Sequence, residues 1–214
     1  MTIDVKEYTI GLNIRSEGKM AKKTTKKTKS KIVTAAWKLF YEQGYDNTTV
    51  EEIIDESGTS RGSFYHYFEG KDALLGSLAY MFDEKYEELS DNLPEGIDSI
   101  ETLLFLNKEL FAMIEKTVDF DLLCRLLSSQ LVTNGEKHLL DRNRTYYKLL
   151  KKIITAGQEN GEITDEFSVN ELVKHYALIE RGIMYDWCLS NSEYSLSKYA
   201  GRFMPGLLMS FRKI

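Results

Sequence analysis

At three points where an apolar run begins, a small polar residue stands three positions ahead of a glutamate: Thr49 and Glu52, Asp98 and Glu101, Ser168 and Glu171. At this spacing the first side chain accepts from a backbone N–H of the opening turn, while the glutamate reaches back to the first residue's own N–H. Each pair therefore fixes a helix start. With prolines only at Pro94 and Pro205, and long runs without turn residues, the chain reads as all-α. Its 214 residues, 43% of them hydrophobic, suit a globular protein of one or two domains. No apolar run approaches the roughly 18 residues needed to span a membrane, and the N-terminus does not read as a signal peptide. Cys124 and Cys188 lie far apart and form no CxxC pair, so they read as reduced core thiols of a cytoplasmic protein.

Charge is unevenly distributed. The chain carries a formal −5, yet Lys22, Lys23, Lys26, Lys27, Lys29 and Lys31 place six cations within ten residues. Residues 20–72 hold nine Lys/Arg against eight Asp/Glu, whereas residues 73–214 hold 16 against 22. An acid excess confined to the C-terminal part leaves the other end open to a polyanion. Taken alone, the lysine run equally suits a solvated tail.

Residues 1–29 read as a flexible, partly Lys-rich extension. Lys31 to Gln43 then has apolar residues at helical spacing, stopped by Gly44. The Thr49 box opens a second helix that Gly58 ends, and Ser60 caps a third that begins at Arg61. Two short helices joined by a Gly-containing turn make a helix-turn-helix. At about 100° per residue, Phe64, Phe68 and Tyr67 share the side facing the first two helices, while Gly62, Ser63, Tyr65 and His66 take the opposite side. Arg61 and Lys71 occupy the first positions of their helices, where the dipole favours anions. An anion bound there would use both the free N–H groups and the cations.

The stretch "AAWKLFYEQGYDNTTVEEIIDESGTSRGSFYHYFEGKDALL" resembles the DNA-binding domain of the tetracycline-repressor (TetR) family. The matching residues are Ala36, Phe40, Gly44, Thr48, Thr49, Val50, Ile53, Gly58, Ser60, Gly62, Tyr65, Tyr67, Phe68, Lys71 and Leu74. Ser57, Thr59 and Gly70 depart from the usual pattern and touch none of the groups expected at DNA. The resemblance implies that the third helix enters the major groove, with Thr49, Ser60, Arg61, Gly62, Ser63, Tyr65, His66, Tyr67 and Lys71 at contact positions. Arg61 and His66 are the expected base readers; Tyr65, Tyr67 and Lys71 are expected at phosphates.

The C-terminal part reads as helices over residues 71–93, 98–117, 119–132, 138–160, 168–189 and 195–213, the last disturbed at Pro205-Gly206. That makes nine helices, as in the family, with a domain boundary between 30–76 and 77–214. The last two helices are apolar around much of their circumference. Either a second copy or a tightly packed core covers them. The family layout assigns them to a homodimer, with Ile179, Gly182, Ile183, Phe203 and Leu207 as candidates. Phe105, Asn107, Met113, Tyr147, His175 and Tyr176 are candidate ligand residues, and Asp186 joins Asn107 and His175 as a polar group in an apolar arc. Each is satisfied internally or by a small molecule.

No HExxH, P-loop, nucleophile elbow or Cys cluster is present, and Glu171 and His175 lack Glu-x-x-His spacing. The expected protein is therefore not an enzyme and needs no cofactor or metal. It is a DNA-binding regulator, a repressor by family default, released from a palindromic operator by a small, largely apolar effector. The alternative is a helical carrier or adaptor that no longer binds DNA.

Overall fold

A computed structural model describes residues 20–132 and 137–213, with side chains from residue 27 onward. Ten α-helical segments follow one another among the described residues: α1 (Met20–Gln43), α2 (Val50–Ser57), α3 (Arg61–Tyr67), α4 (Lys71–Leu75), α5 (Ser77–Asp91), α6 (Ser99–Thr117), α7 (Phe120–Val132), α8 (Thr145–Glu159), α9 (Val169–Leu189) and α10 (Leu196–Leu207). Counting α4 and α5 as one interrupted helix gives nine. The chain divides into two compact units between Met81 and Phe82, inside α5.

In the first unit α1 packs against α2, α3 and α4. Ile32, Ala36, Phe40, Ile53, Phe64, Phe68, Leu74 and Leu75 form its core. All three capping boxes are made, with Thr49, Asp98 and Ser168 each accepting from the third helical N–H. Gly58 closes α2 in the left-handed region (φ 60°), a conformation that a side chain would strain, and so turns the chain towards α3.

In the second unit α6 packs against α10 and α8, while α9 contacts α7, α8 and α10. Gly157 of α8 is needed for close approach, since a Cβ there would lie 2.7 Å from Ile163 Cδ1 and 2.8 Å from Ser99 Cβ. Glu115 of α6 caps the start of α10, accepting from Leu196 N (2.7 Å) and Ser197 N (3.0 Å). Burial opposes ionisation of Glu115, but these bonds and those from the Ser195 and Ser197 hydroxyls win and hold its pKa below the usual range.

Four expectations need correcting. Residues 20–29, expected within a flexible extension, are helical; residues 1–19 lie outside the described residues. The 71–93 helix breaks at Gly76, because the Ser77 hydroxyl takes the Leu74 carbonyl (2.5 Å) and itself accepts from Trp37 Nε1 (2.7 Å). The 138–160 helix begins only at Thr145. Asp141 Oδ1 accepts from Asn143 N (2.9 Å), an Asx turn that stops the short 3₁₀ turn His138–Leu140 from continuing. The final helix passes through Pro205 but ends at Leu207. Beyond it Phe211 is buried, and its carbonyl accepts from Thr164 N (2.8 Å).

Candidate DNA-binding surface and ligand-domain core

Phe64 and Phe68, both buried, anchor α3 in the first unit. That leaves Arg61, Gly62, Tyr65 and His66 exposed, with Ser63 and Tyr67 half-buried. Ser60 Oγ accepts from Ser63 N (3.1 Å), which fixes the first turn. Arg61 lies over the Tyr65 ring (5.6 Å to the centroid) and 3.3 Å from Glu51 Oε1. Both members of that ion pair are well exposed, so it is a weak restraint that a stronger anion displaces. The His66 and Tyr67 rings meet edge to face at 4.7 Å. Thr49 is exposed, its hydroxyl engaged with Glu52.

Beside this face lies an open groove of about 430 Å³, lined by Lys27, Lys31, Gly58, Ser60 and Ser63 among others. Lys27 and Lys31 stand one turn apart on α1, so the helix turns part of the lysine run towards the α2–α3 corner. The sequence displayed those cations, but not where they would point.

Lys71 is placed differently from expectation. Its ammonium donates to the carbonyls of Tyr45 (2.8 Å), Thr48 (3.0 Å) and Asp46 (3.4 Å), and lies 4.4 Å from the Tyr45 ring centroid. After the left-handed Gly44 (φ 87°) these carbonyls converge, and the lysine staples the turn leading into Thr49. It therefore supports the recognition element from behind in this structure.

The second unit has a buried polar centre that the sequence reading missed. Glu180 is 2% exposed. Its carboxylate accepts from Asn107 Nδ2 (2.8 Å), Tyr146 OH (2.6 Å) and Tyr86 OH (3.4 Å). Burial raises the Glu180 pKa above its ordinary value, against the pull of the hydrogen bonds from Asn107, Tyr146 and Tyr86. Nearby, Arg144 holds Asp83 in a two-pronged buried pair (Nε–Oδ2 2.9 Å, Nη2–Oδ1 3.1 Å). Glu180 was legible in one respect: it shares the arc of Val173, Tyr176, Ala177, Ile183, Met184 and Trp187, at core spacing.

Of the ligand candidates, Asn107, Tyr147 and Tyr176 are buried and Phe105 and Met113 half-buried. Tyr176 OH donates to Leu103 O (2.8 Å) and Tyr147 OH to Leu139 O (3.0 Å). His175 and Asp186 are exposed rather than set in the core arc. His175 lies against the Phe211 ring (5.7 Å), and Asp186 accepts from Tyr194 OH (2.8 Å). Among the described residues, every buried side-chain N or O has a partner.

Of the dimerisation candidates, Gly182, Phe203 and Leu207 are exposed, Ile179 is half-buried, and Ile183 belongs to the core of its own unit. Leu178 (56% exposed), Leu189 (81%), Tyr199 and Met209 add to the apolar surface of α9 and the C-terminal segment. Tyr194, Tyr199 and Phe203 form a ladder with 4.7 and 4.6 Å between centroids. Gly182 has open space around its Cβ position on its own chain.

A helical unit displaying a short aromatic and polar helix, followed by a larger all-helical unit, is the arrangement of a helix-turn-helix DNA-binding regulator. Residues 32–78 match the family of bacterial regulatory proteins, tetR family. It is 29% identical over 147 residues to YvdT, an uncharacterized HTH-type transcriptional regulator of Bacillus subtilis, covering 68% of this chain and 74% of that one. Over 143 residues it is 25% identical to the transcriptional repressor KstR2 of Rhodococcus jostii, covering 66% and 70%. Among solved structures, the Thermus thermophilus repressor FadR in complex with lauroyl-CoA superposes with a TM-score of 0.68 at 22% identity, covering 84% of this chain and 93% of that one. No helix among the described residues is long and apolar enough to cross a membrane.

Proposed function

We propose that the protein is a cytoplasmic homodimeric repressor, without enzymatic activity, that reads a palindromic operator through α3 and leaves it when a small, largely apolar ligand binds. One observation carries the DNA reading: buried Phe64 and Phe68 fix a two-turn helix whose outer residues, Arg61, Gly62, Tyr65 and His66, stay exposed, Arg61 meeting only a weak pair with the exposed Glu51 among the described charged groups. In this reading residues 30–76 are the DNA-binding domain and 77–214 the ligand and dimerisation domain. Arg61 and His66 read base edges. Tyr65, Tyr67, Ser60 and Ser63, with Lys27 and Lys31, meet phosphates, and Thr49 and Gly62 allow close approach.

Support for a dimer comes from the exposed apolar surface of α9 and α10 with Gly182, where a helix-interior glycine costs about 1 kcal/mol relative to Ala and its own chain gives no steric reason for it. Support for an apolar effector comes from the fold shared with FadR, whose structure contains lauroyl-CoA. The ligand reading places the effector beside Phe105, Asn107, Met113, Tyr147 and Tyr176. Selection of duplexes from a random pool tests the DNA reading: an enriched palindrome with half-sites about 34–36 Å apart, or a multiple, is expected. No enrichment would favour a carrier or adaptor. Acyl-CoA thioesters of graded length, assayed for thermal stabilisation and for release of the selected operator, test the effector reading separately.

A further inference from the structure

Cys124 and Cys188, 64 positions apart in sequence, come together in the fold. Cys124 lies on α7 and Cys188 on α9, both half-buried, and the two thiols are close enough neighbours to interact. Two contacts between the same helices hold them in place. The Phe120 and Trp187 rings meet edge to face at 5.3 Å, and Tyr185 OH donates to Leu127 O at 2.6 Å. On α7, Cys124 lies between Phe120 and Leu127; on α9, Cys188 directly follows Trp187. The helices are thus fixed face to face where the thiols meet, so joining the sulfurs needs little new ordering. Half-burial leaves the pair open to a small oxidant from solvent.

We propose that Cys124 and Cys188 are a modification site: a dithiol that a peroxide converts to an intramolecular disulfide, latching α7 to α9. In the first step the Cys124 thiolate attacks one oxygen of the peroxide. The O–O bond breaks, Cys124 becomes a sulfenic acid, and the departing hydroxide (or alkoxide) takes up the proton that Cys124 released and leaves as water (or an alcohol). In the second, the Cys188 sulfur attacks the Cys124 sulfur. The S–O bond breaks, and the departing hydroxide takes the Cys188 proton to give a second water. Two thiols are oxidised by two electrons and one peroxide is reduced. Burial, together with the neighbouring Cys124, raises the Cys188 thiol well above its ordinary range.

The full chain, reduced and freed of reductant, would be treated with hydrogen peroxide, digested without reduction and read by mass spectrometry. The expected product is a peptide pair joined through Cys124 and Cys188, lighter by two hydrogens. A raised unfolding midpoint, reversed by dithiothreitol, should accompany it. Cys124→Ser and Cys188→Ser should each abolish both the linked pair and the midpoint shift while leaving the reduced protein's unfolding unchanged. Independent sulfinic or sulfonic acids with no linked peptide, linkage only between copies, or a peroxide-induced shift that survives in either variant would overturn the proposal.

Discussion

Helices α3 and α9 both carry aromatic and polar side chains, and they use them in opposite ways. On α3, Phe64 and Phe68 enter the core and the polar groups remain at the surface; on α9, Glu180 and Tyr176 are buried and hydrogen-bonded within their own unit. An exposed polar and aromatic face needs an outside partner to explain it, whereas a buried, satisfied cluster explains itself through folding. In the proposed reading, DNA recognition therefore has an exposed surface on α3. The effector, by contrast, has to compete with hydrogen bonds that the protein already makes.

Removing each unit's anchor tests this contrast most strongly. Phe64→Ala deletes a fully buried ring and should cost about 3–5 kcal/mol of stability in the first unit. DNA binding should be lost, while second-unit probes such as Trp187 fluorescence retain their native signal. Loss of both units together in denaturant titration would show that they do not fold independently. Asp83→Ala is the counterpart in the second unit: it strands the buried Arg144 and should cost a similar 3–5 kcal/mol.

The two regions also differed in how much of them the sequence displayed. Capping boxes, the Gly58 turn and the two faces of α3 are local patterns, spanning a few residues each, and all recur in the fold. What escaped was made by distant residues. Lys71 meets carbonyls 23 to 26 positions away. Glu180 was obscured because a carboxylate ordinarily marks a solvated face, and its partners Tyr86, Asn107 and Tyr146 come from three other helices. His175 and Asp186 were misplaced because a helical arc drawn from sequence is wide, and both fall just outside its buried part.

Glu180→Gln examines the buried cluster through pH. The folded pKa of Glu180 is raised by burial, so the unfolded chain ionises first as pH climbs past the ordinary glutamate value of about 4.3. Wild-type stability should then fall until the folded pKa is reached and stay lower above it. Glutamine keeps an oxygen for Tyr146 and Tyr86, and its amide can donate to Asn107 once that side chain flips. The variant should match wild type near pH 4 and exceed it in denaturant midpoint at pH 7 and above. An unchanged difference across that range would mean that Glu180 does not titrate in this window.

On the exposed helix, Arg61→Ala should cost about 1–3 kcal/mol on the best operator and relax preference at one base position. Glu51, its partner in the free chain, gives a control. Glu51→Ala releases Arg61 from a weak surface pair and removes a negative charge, so affinity should rise slightly with the preferred sequence unchanged. A loss of affinity without any change in base preference would make Arg61 a phosphate contact.

The smallest effects distinguish two kinds of lysine in the first unit. Lys27 and Lys31 line the open groove beside Ser60 and Ser63, whereas Lys71 is engaged with three backbone carbonyls. A lysine that meets a phosphate releases a counterion on binding, so its removal lowers the slope of log affinity against log salt by about 0.9. Lys27→Ala and Lys31→Ala should each show that reduction, weaken all duplexes alike, and leave the unfolding midpoint near wild type. Lys71→Ala should do the reverse: the salt slope stays, and stability drops by about 1 kcal/mol or more, as for a charge-assisted hydrogen-bond set that leaves carbonyls behind. Affinity would fall only as far as the turn before Thr49 loosens, so excess salt should not erase the difference from wild type. If Lys71→Ala instead lowers the salt slope and spares stability, the ammonium exchanges its carbonyls for a phosphate on binding, and the contrast between bound and open lysines disappears in the complex.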